Sequence, residues 1–160
     1  MKQRGYTLVE LLCVLAILAV LATMSLPLAE MRAQRSRERE LQRSLWEIRD
    51  ALDAYHAARV SGAVTVADAS GAPASAYPPD LSALTRLYAD ARADHRGESL
   101  RFLRRVPRDP FADASLPAEQ TWGLRSFASE ADHPKAGSDV YDVYSLAPGS
   151  GLNGVPLAQW

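Results

Sequence analysis

Residues 11–29 carry no charged side chain. As a helix rising about 1.5 Å per residue, such a run is just long enough to cross a hydrocarbon core about 30 Å thick. Glu10 spoils the pattern, because it stands at the head of the apolar run. A carboxylate there costs roughly 2.5–3.5 kcal/mol at mid-membrane and less toward an end. A plain anchor has no use for it. A removable secretory signal is also excluded. Its apolar core would be roughly 7–15 residues with a small-x-small cleavage site, whereas this run is longer and ends Leu26-Pro27-Leu28-Ala29-Glu30.

The residues ahead of the run form a very short basic leader, Met1-Lys2-Gln3-Arg4-Gly5, followed by Tyr6-Thr7 and, three residues on, Glu10. In register and residue type this resembles the type IV pilin and pseudopilin family. The resemblance implies cleavage by a prepilin peptidase between Gly5 and Tyr6, methylation of the new amino group, and packing of the helix into a filament. Within that reading Gly5 and Tyr6 are processing residues, and Thr7, Glu10 and Pro27 are assembly residues. The physical logic stands beside it: a buried carboxylate needs a cation, and the freed amine of Tyr6 on a neighbouring subunit supplies one to Glu10. Pro27 removes the hydrogen bond to the Thr23 carbonyl and predicts a kink or melted turn over 23–27. Either that defect serves assembly, or the proline is one that a membrane helix tolerates.

From Glu30 the chain turns charged without meeting Gly or Pro until Gly62. Leu41, Leu45, Ile48, Leu52 and Tyr55, spaced four, three, four and three, form a narrow stripe that needs a partner. A two-stranded coiled coil would want three or four heptads, and this stripe runs about two. The expectation is one helix over 6–59, roughly 80 Å long, with its second half backing a globular domain. The other faces carry Arg32, Arg35, Arg37, Arg39, Arg43 and Arg49 among Glu38, Glu40, Glu47 and Asp50. Arginines beside a membrane span would draw the C-terminal domain to the cytoplasm. The resemblance implies the reverse, a single-pass inner-membrane protein with a periplasmic domain.

The organisation is therefore a leader (1–5), a transmembrane assembly helix (6–29), its amphipathic continuation (30–59) and a globular α+β domain (60–160). Roughly a hundred residues beyond the helix suffice for one small domain. A Ser/Gly/Ala-rich loop leads to Tyr77-Pro78-Pro79-Asp80 and a short helix with Leu81, Leu84, Leu87 and Tyr88 on one side. Residues 122–127 and 140–145 read as strands joined by a polar loop, so a small antiparallel sheet should cover the helix stripe. The tail should return Trp160 to the domain. Tyr-Pro after the long helix and Val106-Pro107-Arg108-Asp109-Pro110-Phe111 resemble the major pseudopilin of type II secretion. That pattern implies a calcium loop, for which Asp139, Asp142, Ser145 and Asn153 are the candidate ligands. Calcium wants six to eight oxygens, several of them carboxylate. Ala147-Pro148-Gly149 stands where the pattern has a further aspartate, so the supply of ligand oxygens is thin and no cofactor is expected.

Formal net charge is −1 and hydrophobic content 48%, which excludes a strongly basic nucleic-acid binder and a disordered chain. Cys13 is the only cysteine, so no internal disulfide forms. Gly149-Ser150-Gly151-Leu152-Asn153-Gly154 has the spacing of a dinucleotide loop, but Pro156 and the few residues after it leave no room for the required helix. It reads as a turn. His56, His95 and His133 lack metalloprotease spacing, and no enzyme is expected. Arg101, Arg104, Arg105 and Arg108 form a basic patch diluted by nearby acids and poor in aromatics, so no nucleic acid is expected as partner. The function implied is a pseudopilin of a type II secretion filament, with related pseudopilins, further copies of the chain, a prepilin peptidase and an inner-membrane assembly platform as partners. A minor pilin of a type IV pilus and a monomeric membrane-anchored binding domain remain as alternatives.

Overall fold

The computed structural model describes residues 6–65, 75–95 and 97–160, with the backbone alone described over 23–28. Gly5 thus lies outside the described residues, and so does the side chain of Pro27 with its expected effect on the helix. Helix α1 spans Leu8–Val60, close to the expected 6–59. The chain divides into two compact units, Met1–Arg37 and Glu38–Trp160.

In the first unit, the described apolar residues of α1 are exposed on every face, from Leu8 at 76% through Leu15 at 61% to Leu21 at 58%. Among the described residues no helix is long and apolar enough to cross a membrane. The charge-free run of the sequence passes on through 23–28.

The second unit is built on the predicted stripe. Leu41, Leu45, Ile48, Leu52 and Tyr55 are all at most 2% exposed. At about 1.5–3 kcal/mol per buried side chain, they contribute on the order of 10 kcal/mol before entropy is counted. Leu84, Val106, Trp122, Val140, Val143 and Leu157 belong to the same core cluster. Tyr55 meets Tyr88 and Phe102 edge-on, with ring centroids 5.8 Å and 5.3 Å away.

Beyond α1 the elements are short. Asp80 caps a 3-10 helix, Leu81–Thr85, by accepting from the Ala83 amide at 2.8 Å. The expected apolar side breaks up there: Leu81 and Leu84 are buried, Leu87 is 62% exposed, and Tyr88 begins a strand. That strand, β1 (Tyr88–Ala89), pairs antiparallel with β2 (Ser99–Leu100), a hairpin the sequence did not announce. The main pair is β3 (Trp122–Arg125) with β4 (Asp142–Ser145), antiparallel, in the register Trp122↔Ser145 to Arg125↔Asp142. These are the two expected strands, each trimmed. β3 stops at Arg125 because Ser126 and Phe127 turn to other partners: the Ser126 amide donates to the Lys135 carbonyl and the Phe127 amide to Asp139 Oδ1.

The glycine-rich segment is a turn, as its position requires. Gly149 and Gly154 have φ of 105° and 78°, and the Gly151 amide donates to the Val155 carbonyl. Gly151 has no side chain for a reason: a Cβ there would lie 2.3 Å from the Trp160 ring. Trp160 thus returns to the domain as expected, its Nε1 donating to the Val155 carbonyl at 3.3 Å.

Candidate functional site

The start of α1 shows what Thr7 and Glu10 do locally. Thr7 Oγ1 accepts the Glu10 amide at 3.2 Å, and the Thr7 carbonyl accepts the Leu11 amide at 3.2 Å. Thr7 is the N-cap, and Glu10 stands three residues later, the spacing of a capping box. A carboxylate in the first turn also meets the positive end of the helix dipole. The Thr-x-x-Glu spacing carries this signal in the sequence. Tyr6, next to the expected cut, is 78% exposed. Among the described residues no hydrogen bond or ion pair reaches the Glu10 carboxylate. The local geometry thus anchors the helix start and leaves an acid and an apolar cylinder facing outward.

The four candidate calcium ligands are engaged elsewhere. Asp139 accepts from Ser126 Oγ at 2.5 Å and from the Phe127 amide at 3.0 Å. Burial pushes its carboxyl up, but hydrogen bonds from Ser126, Ser75 and the Phe127 amide outweigh that and leave it below the ordinary carboxylate value. Asp142 is held by Arg49 at 2.8 Å and by Arg125 at 3.1 Å. Two cations on one carboxylate oppose binding of a third. Ser145 Oγ donates to Asp109 Oδ2 at 2.5 Å, and Asn153 Oδ1 accepts from the Val155 amide. Elsewhere, Asp90, His95 and Glu98 each offer one ligand atom within 4.8 Å of the others. There Arg92 already occupies Asp90, with Nη2 at 2.5 Å, and the Asp90 carboxyl is lowered to about 2, chiefly by that hydrogen bond.

Sequence reasoning missed two residues that hold the second unit together. Arg49 read as a solvent-face arginine. Instead it joins helix, sheet and tail, donating to Asp142 Oδ1, to the Val143 carbonyl at 3.2 Å and to the Trp160 backbone oxygen at 2.8 Å. Its place next to Ile48, on the flank of the buried stripe, was the available signal. Asp109, in the Pro-Arg-Asp-Pro passage, is 1% exposed and accepts from the Phe111 amide at 2.7 Å as well as from Ser145. There the two prolines mark the turn, and the aspartate ties it to β4.

With the helix start described, comparison with known families settles what kind of segment it is. Residues 1–26 match the prokaryotic N-terminal methylation motif. The match supports a type IV pilin-like chain that is a substrate of a prepilin peptidase and assembles with other pilins. No curated protein and no solved structure matches the chain. Gly5, Tyr6, Thr7 and Glu10 all fall within the matched residues.

Proposed function

We propose that the chain is a structural subunit of a secretion pseudofilament, a pseudopilin cut after Gly5, methylated at Tyr6 and held in the inner membrane by its first helix until it assembles. The observation that carries this is the capped helix start, with Glu10 unpaired among the described residues ahead of apolar side chains exposed on all faces. Such a surface is stable only in lipid or against like helices. Glu10 then finds a cation in the freed amine of a neighbouring subunit's Tyr6, which rewards the correct register. The resemblance of Val106-Pro107-Arg108-Asp109-Pro110-Phe111 to the major pseudopilin supports secretion over a pilus. The orientation proposed puts 60–160 in the periplasm.

The test is the intact mass and N-terminal peptide of the protein isolated from membranes containing a prepilin peptidase. The expected chain begins at methylated Tyr6, and Glu10→Ala yields processed subunits that fail to enter filaments. A chain still beginning at Met1 would refute the proposal and favour a membrane-anchored binding domain.

A further inference from the structure

The second half of α1 and the chain around Pro107 wall a cleft of about 830 Å³. Arg39 and Arg43 line it from the helix, Arg105 and Arg108 from the opposite side. Arg108 is a fixture of the wall, since it donates to the backbone oxygens of Leu116 and Asp113. Arg43 and Arg105 are exposed, and among the described residues neither makes a hydrogen bond or ion pair. Ser44 also lines the cleft, is 6% exposed, and makes no hydrogen bond among the described residues.

The remaining lining selects the class of occupant. Guanidinium forks match carboxylate and phosphate alike. Glu40 and Glu47, however, stand among the arginines on the helix wall. Carboxylates accept hydrogen bonds and repel anions, so a phosphodiester strand, which offers them no donor, is disfavoured. A polypeptide offers both signs, carboxylate side chains for the arginines and backbone N–H groups for the glutamates. Val106, Pro107 and Ala118 add an apolar surface, and among the described residues no aromatic ring lines the cleft to stack a base.

We propose that this cleft docks an acidic polypeptide segment of a partner protein, with Arg43 and Arg105 taking its carboxylates and Glu40, Glu47 and Ser44 engaging its backbone. The site lies within Glu38–Trp160 and does not depend on processing at Gly5.

The experiment uses the full chain in detergent and a fluorescein-labelled peptide of about ten glutamates, followed by anisotropy. Arg43→Gln combined with Arg105→Gln should weaken binding by roughly tenfold or more. Arg86→Gln, at an exposed arginine that does not line the cleft, should leave it unchanged, and thermal melts of each variant check the fold. Binding unaltered by the double substitution, or absent from the unmodified chain, would overturn the proposal. So would displacement of the peptide by a single-stranded oligonucleotide or by phosphatidylglycerol vesicles at concentrations below those at which unlabelled peptide displaces it, since the cleft would then be a phosphate site.

Discussion

Asp109→Ala removes the acceptor that ties the Pro107–Pro110 turn to β4. Two hydrogen bonds go with it, from Ser145 Oγ at 2.5 Å and from the Phe111 amide at 2.7 Å. Ser145 is fully buried, so its hydroxyl has no water to turn to. An orphaned buried donor costs about 1–3 kcal/mol, while Phe111 is only partly buried and recovers part of its loss from solvent. Removing a carboxylate that is 1% exposed also relieves a desolvation penalty. The sum is a destabilisation of about 2–4 kcal/mol, a large share of a domain stability of roughly 5–15 kcal/mol. For a unit of this size it lowers Tm by roughly 10 °C. Asp109→Asn keeps an acceptor for the Phe111 amide and a polar group toward Ser145, and should cost only about 1 kcal/mol. Thermal melts followed by tryptophan fluorescence suit the question, because Trp122 is buried and donates to the Pro107 carbonyl at 2.9 Å. An Asp109→Ala melt within about a degree of the unmodified chain would refute the reasoning. So would an Asn variant as damaged as the Ala variant, since the charge and not the acceptor geometry would then be what matters.

Gly123→Ala should destabilise the β3–β4 pair by about 1–3 kcal/mol. The new Cβ would fall 2.3 Å from the ring of Tyr144, the cross-strand partner of Gly123; the companion Tyr144→Ala should restore most of the loss in a double-mutant melt, and no restoration would sink the explanation. The pairing of Asp90 with Arg92 predicts an acid limb. The Asp90 carboxyl lies at about 2 against an ordinary 3.8, so its contribution is present in full above about pH 4 and is lost as pH falls toward 2. The Tm gap between the unmodified chain and Asp90→Asn should therefore be steady near neutrality and close between pH 4 and 2, and a gap that ignores pH would exclude the ion pair as its cause.

Much of the frame was legible in the chain. Spacing alone found the stripe from Leu41 to Tyr55, since a helix places every third or fourth residue on one face whatever packs against it. The two longer strands were visible for the same kind of reason. Their ends were not, because Ser126 and Phe127 leave the ladder for Asp139 and Lys135, partners fixed only when the intervening loop folds back. The hairpin of β1 and β2 escaped notice because strands of two residues carry no periodicity. Asp142 and Ser145 looked like oxygen ligands in the sequence. Tertiary contact gave them to Arg49, Arg125 and Asp109 instead.

The sequence by itself determined the Thr7–Glu10 spacing at the helix start and the charge-free run behind it, because these depend on residue type and near-neighbour spacing. Only the tertiary structure decided which charges are spent and which are left facing a cleft. Arg43 and Arg49 sit six residues apart on one helix among similar neighbours. One locks the sheet and tail while the other faces the cleft, and that difference arises from segments roughly sixty to a hundred residues away that fold against each side of the helix.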